Sequence, residues 1–163
     1  MSKRIVVVDD HDVVRQGVRL ILRSRPEWSV VGEASNGNEA VQKIKSQKPD
    51  LTILDISMPE KDGLEVLRDL KASGETPKVL VLSMHNSKEV IAAVRDLGAS
   101  GYILKTNAAR DLIRAMEEVF AGGFFFPGAT TKTTPTTAPD AKSDTRKDLL
   151  FRLQLGFAGA FAG

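Results

Sequence analysis

Five times between Arg4 and Gly123, a short apolar run gives way to a segment whose apolar residues recur at helical spacing. The runs are RIVVVD, WSVVGEAS, LTILD, KVLVLS and GYILK; the segments that follow them are DVVRQGVRLILRS, GNEAVQKIKSQ, GLEVLRDLKASG, SKEVIAAVRDLG and ARDLIRAMEEVFAGG. In the first segment Val14, Val18, Ile21 and Leu22 share a face, and in the last Leu112, Met116, Val119 and Phe120 do. A strand that is apolar on both faces needs cover on both, which is the situation of a parallel sheet with crossover helices on either side. Gly74, Gly98 and Gly122 stand where the helices should stop, and Asn36-Gly37 marks a turn before the second one. The alternation predicts an α/β fold of five strand-then-helix units.

A chain of 163 residues holds one well-buried core and a modest appendage. Its 23 basic and 21 acidic residues nearly cancel, so charge gives no argument for a nucleic-acid or membrane surface. The absence of cysteine excludes disulfides, thiolate metal sites and cysteine nucleophiles. Lys3 and Arg4 precede an apolar run of only four residues, Ile5 to Val8, too short for a secretory core or a membrane span, and a cytoplasmic location is the expectation.

Beyond Pro127 the apolar period is lost. Residues 124–145 read as a flexible linker rich in Thr, Pro and Ala, with disorder predicted from about Gly128 to Thr145, and 146–163 as a short apolar tail. In that tail Leu149, Phe151, Leu153, Leu155 and Phe157 alternate as in a strand, while Leu149, Leu150, Leu153 and Phe157 also fit one helical face. The period does not decide between them.

Open parallel sheets bind ligands beyond the carboxyl ends of their strands, where strand order reverses. Asp9 and Asp10 stand at that end of the first run, Asp55 of the third, Ser83 of the fourth and Lys105 of the fifth. In a flavodoxin-like order 2-1-3-4-5, taken from that architecture rather than from these residues, the five groups form one arc. Three carboxylates at one edge repel one another and lose solvation, so a cation must compensate; Mg²⁺, which takes oxygen ligands and works with phosphate, is the natural one. Lys105 supplies a fixed charge and Ser83 a hydroxyl donor, and together the set describes a carboxylate, Asp55, that accepts a phosphoryl group. Taken singly, each residue has a plainer reading: Asp9 or Asp12 as a cap of the first helix, Lys105 as a surface charge, Ser83 as a turn former. Their common position at strand ends favours the site. His11 reads as an exposed loop histidine, and Met58-Pro59 with Gly63 as a device that shapes the loop after Asp55.

VVDD, LTILDISMPEKDG, VLVLS and GYILK together resemble the receiver domain of bacterial two-component response regulators over about residues 3 to 122, and DDHDVVRQGV, GASGYILK and DLIRAMEEVFAGG resemble its NarL/FixJ subfamily. The resemblance makes residues 1–123 a receiver domain. It implies phosphorylation of Asp55 by the phosphohistidine of a sensor histidine kinase or phosphotransfer protein, or slowly by small acyl phosphates. It further implies Mg²⁺ held by Asp10, Asp55 and the backbone carbonyl of Ser57, with Asp9 acting through water. Ser83 and Tyr102 correspond to the family's switch pair, although a half-exposed strand aromatic is the plainer reading of Tyr102. Thr106 departs from the proline many receivers carry after the lysine, as the NarL-like branch commonly does. Self-association on phosphorylation through roughly Ser87 to Ala121 is implied as well.

The subfamily usually adds a helix-turn-helix domain after a linker. The tail has too few residues and too little basic character for one, which argues against direct DNA binding by this chain. The expected function is therefore a phosphoacceptor module that controls a partner and is not an enzyme beyond weak self-catalysed phosphorylation and dephosphorylation. The alternatives are a truncated or frame-shifted transcriptional regulator and, more weakly, an aspartyl-phosphate phosphatase of the haloacid-dehalogenase type. The latter wants an acid two residues after the nucleophile, where this chain has Ser57.

Overall fold

The computed structural model describes residues 1–128. Along the chain run β1 (Lys3–Val8), α1 (Asp12–Leu22), β2 (Trp28–Ala34), α2 (Gly37–Gln47), β3 (Leu51–Asp55), α3 (Gly63–Ala72), β4 (Val79–Ser83), α4 (Lys88–Asp96), β5 (Gly101–Leu104), a 3-10 turn (Lys105–Asn107) and α5 (Ala108–Phe120). All five predicted units are present. The strands form one parallel sheet in the order β2-β1-β3-β4-β5, the flavodoxin-like arrangement.

Side chains that alternate along each strand feed two separate cores. Val6, Val8, Leu54 and Val81 pack with Ala40, Ile44, Val66, Leu67 and Val94 from α2, α3 and α4. Ile5, Val7, Ile53, Leu80 and Leu82 pack with Val14, Val18, Leu112 and Met116 from α1 and α5. Because both faces are buried, β3 and β4 have no solvent-facing position, and this is why their sequences read as unbroken apolar runs.

Local signals fix the helix ends. Asn36 accepts a hydrogen bond from the Glu39 N–H at 2.9 Å, and Asp62 and Glu65 form a reciprocal capping box at the start of α3. At α1 the N-cap is His11, whose side chain makes no capping bond, so neither Asp9 nor Asp12 plays the capping part considered above. Gly63 opens α3 against β3: a Cβ there would lie 2.4 Å from the Asp55 carbonyl oxygen, so only glycine lets the helix start this close to the strand end.

The chain does not leave the domain at residue 124. Phe125 bridges in parallel to Gly101; its N–H donates to the Ser100 carbonyl at 3.1 Å, and its carbonyl accepts from the Tyr102 N–H at 2.7 Å. Phe126 is buried in the core shared with Tyr102, with the Arg95 guanidinium 4.6 Å from its ring centroid. The first residues of the expected linker thus make an isolated parallel bridge at the β5 edge. The remainder of that linker, with its predicted disorder, and the 146–163 tail lie outside the described residues.

Candidate functional site

The sheet delivers its polar groups to one edge. Asp9 directly follows β1, Asp55 ends β3, Ser83 ends β4 and Lys105 directly follows β5, and all four are buried. β1, β3 and β4 pass into loops here and β5 into the 3-10 turn, so the four groups meet at one end of the sheet. Lys105 Nζ lies 2.7 Å from Asp9 Oδ2 and 3.3 Å from Asp55 Oδ2. It therefore pairs with two carboxylates, and more closely with Asp9 than with Asp55.

Two buried anions share one cation, and the balance shows in Asp55. Its pKa is raised from 3.8 to about 6, first by burial and then by the Asp9 charge; the Lys105 charge, the Ser57 N–H at 3.2 Å from Oδ1 and the Lys105 hydrogen bond pull it back. Asp9 Oδ2, Asp10 Oδ1 and Asp55 Oδ2 lack a hydrogen-bond partner of full directional geometry, although they are out of water. Such oxygens call for a further positive group. Ligand atoms from Asp9, Asp10, His11 and Asp55 all lie within 4.8 Å of one another, so the residues fit a divalent cation. The donor set, three carboxylates and one imidazole, suits a hard or borderline ion.

Both histidines of the chain are at this edge, and the sequence signalled neither. His11 Nδ1 sits 3.1 Å from Asp9 Oδ1 and 3.0 Å from Asp10 Oδ1, while its backbone N–H donates to Asp9 Oδ1 at 2.9 Å. The ring is half exposed, as expected for a loop, but it belongs to the acidic cluster rather than standing apart from it. His85, two residues beyond Ser83, is held by three elements. Its Nε2 pairs with the Ser57 hydroxyl at 2.9 Å, its N–H donates to Ser83 Oγ at 3.1 Å, and its carbonyl accepts from the Tyr102 hydroxyl at 2.6 Å. Tyr102 is fully buried, not half exposed; burial pushes its phenol pKa up, opposed by a hydrogen bond with Ser83 and reinforced by the Asp55 charge. Ser57 is exposed and joined to Asp55 and His85 through its N–H and hydroxyl.

A flavodoxin-like sheet with a carboxylate cluster and a buried lysine at its carboxyl edge defines the class of phosphorylatable signalling receivers. The chain belongs to the response regulator receiver domain family, which matches residues 5–117. It is of the NarL/LuxR type. The transcriptional regulatory protein DegU of Brevibacillus brevis is 41% identical over 122 residues, covering 75% of this chain and 52% of DegU. The nitrate/nitrite response regulator NarL of Escherichia coli K12 is 33% identical over 145 residues, covering 89% of this chain and 67% of NarL. Among solved structures, a LuxR-family two-component response regulator from Aurantimonas superposes with a TM-score of 0.73 at 31% identity, covering 77% of this chain and 89% of that one. The signal receiver domain of NarL from Mycobacterium tuberculosis gives 0.70 at 32% identity, covering 74% and 98%. The chain spans about half the length of DegU. Membership of this family makes it a signalling module, and no helix among the described residues is long and apolar enough to cross a membrane.

Proposed function

We propose that Asp55 is the phosphoacceptor of a two-component phosphorelay, working with Mg²⁺. The observation that carries this is a buried carboxylate with a pKa of about 6, set between two further carboxylates and a buried lysine. Above that pH Asp55 is an anion with little solvent to shed, which favours attack on phosphorus. Its oxygen bonds to the phosphorus as the donor's phosphorus–nitrogen or phosphorus–oxygen bond breaks, and the leaving group departs with the electron pair. Lys105, already within ion-pair reach of Asp55, turns to the incoming phosphoryl oxygens, and the Ser83 hydroxyl donates to one of them. Asp10, Asp55 and the Ser57 carbonyl would hold Mg²⁺ directly, with Asp9 through water. Bound there, Mg²⁺ supplies charge that offsets the crowding of anions.

The donor is a sensor histidine kinase or phosphotransfer protein, and the setting is cytoplasmic. Movement of Ser83 toward the phosphoryl group releases its bond from the His85 N–H and so reaches Tyr102 through the His85 carbonyl. Output is control of a partner, with a phosphorylation-dependent homodimer through α4, β5 and α5 as the surface event. The names of DegU and NarL belong to regulators about twice and one and a half times as long as the matched span, and a DNA-binding output for the whole protein stays a proposal tested by gel shift. The primary test is intact-mass spectrometry after incubation with acetyl phosphate and Mg²⁺. One phosphoryl adduct is expected, absent from Asp55→Asn; an undiminished adduct in that variant overturns the assignment. Tyr102→Ala should keep the adduct and lose the change in sedimentation.

A further inference from the structure

We propose that Arg15 is a positioning residue for the acid pair Asp9-Asp10, holding the end of β1 in place for the divalent cation. This role rests on the reading of the acidic edge as a cation site. It begins with a gap in the sheet. β1 pairs with β2 and with β3 only as far as Val8, so the Asp9 carbonyl lies past the last rung of both ladders. Arg15 fills the gap: its Nη1 donates to that carbonyl at 2.5 Å, while the Asp9 N–H donates to the Ala34 carbonyl at 3.1 Å.

The position of the arginine in the sequence suits this task. Helical side chains lean toward the N-terminus of their helix, so Arg15, one turn into α1, reaches back over the loop that carries Asp9 and Asp10. Its side chain is 14% exposed and serves three directions: the Asp9 carbonyl, the Asp12 carboxylate, and Glu33 on β2, whose Oε2 is 3.8 Å from Nε. Asp12 and Glu33 offset its charge, so what it brings to the site is geometry more than field. A planar fork of five donors can hold several partners at once without leaving its place.

The Asp9 side chain is held separately, Oδ2 by Lys105 at 2.7 Å and Oδ1 by the His11 N–H at 2.9 Å. In the phosphoryl transfer proposed above, Lys105 turns to the incoming oxygens and gives up part of that hold. The bond from Arg15 is made to the backbone and takes no part in the chemistry. Arg15 therefore keeps the acid pair in place through a step in which the other cation moves away. Groups that orient metal ligands from behind in this way set affinity by about ten- to a hundredfold.

Mn²⁺ is the probe, because it takes the same oxygen ligands as Mg²⁺ and the electron paramagnetic resonance signal of the free ion reports binding directly. In titrations of the full chain, Arg15→Gln should raise the Mn²⁺ dissociation constant about tenfold or more, and Arg15→Lys, which keeps a donor for the Asp9 carbonyl, should recover part of the loss. Arg19→Gln is the control. Arg19 shares Glu33 with Arg15, its Nε 3.0 Å from Oε1, and among the described residues makes no bond to Asp9, so this variant should bind as the parent does. The Mg²⁺ concentration that gives half the maximal Asp55 adduct should rise by the same factor in Arg15→Gln, with the parent's yield restored at saturating Mg²⁺. Parent-like Mn²⁺ affinity in Arg15→Gln overturns the role, even where its urea midpoint in EDTA falls, since the arginine would then serve stability alone. An equal loss of affinity in Arg19→Gln overturns it as well, as an effect of net charge. The expected Mn²⁺ shifts without any Asp55 adduct in the parent would uphold the role and remove the phosphoacceptor reading. A parent chain that binds no Mn²⁺ removes the cation site and the role together.

Discussion

Asp55→Asn removes a charge that the fold holds at a disadvantage, and its effect on stability can be worked through. A carboxyl whose pKa is raised from 3.8 to about 6 on folding is penalised when ionised, and the difference corresponds to about 3 kcal/mol. The sign is set by proton binding. Between the two values the folded protein keeps a proton that the unfolded chain has lost, so stability contributed by neutral Asp55 is full below 3.8, falls as pH rises, and is gone once pH has passed about 6. Asparagine keeps the shape and never ionises. In EDTA the variant should therefore match the parent near pH 4 and exceed it by up to about 3 kcal/mol at pH 7.5. Part of that gain is offset because Lys105 loses one of its two partners while keeping Asp9 at 2.7 Å. Urea denaturation at a series of pH values reads the difference directly, and saturating Mg²⁺ should narrow it by stabilising the parent alone. A variant no more stable than the parent at pH 7.5 in EDTA would refute the claim that burial and Asp9 strain the Asp55 anion.

Lys105→Met leaves Asp9 and Asp55 without their shared cation; Asp55 should titrate still higher, and stability should fall by about 3–5 kcal/mol at neutral pH and recover toward pH 5, measured by the same denaturation series. Gly63→Ala places a methyl group 2.4 Å from the Asp55 carbonyl oxygen and should cost about 1–3 kcal/mol, with weaker Mn²⁺ binding as the strand end shifts, checked by melting and titration. Phe126→Ala empties the anchor of the segment after α5, and hydrogen exchange at the Tyr102 N–H, bonded to the Phe125 carbonyl, should speed up while amides of β1 and β3 hold their protection.

What could be read in the sequence follows from how local each cause is. Strands buried on both faces write themselves as apolar runs, and residues at their carboxyl ends are placed by the strand alone, so Asp9, Asp55, Ser83 and Lys105 were legible without knowing any loop. Helix stops were legible too: Gly74 and Gly98 adopt φ values of 75° and 90°, left-handed conformations that glycine alone enters freely. The histidines were not. His85 meets Ser57, 28 residues away, because two loops happen to approach, and a single histidine carries no periodic signal. His11 sits in the loop its sequence suggested, but the turn of its ring onto Asp9 and Asp10 depends on backbone geometry that composition does not encode. Phe124, Phe125 and Phe126 were hidden by the Thr- and Pro-rich stretch that follows them; an apolar triplet directly after two glycines was the signal that the chain packs back onto the domain.

The Phe125 bridge closes one edge of the sheet. Where Phe125 lies along Ser100, Gly101 and Tyr102, the rim of the sheet is sealed by the protein's own backbone, and a foreign strand finds the Ser100 carbonyl and the Tyr102 N–H already taken. Tyr102 is therefore held at both ends, its N–H by the Phe125 carbonyl and its hydroxyl by the His85 carbonyl.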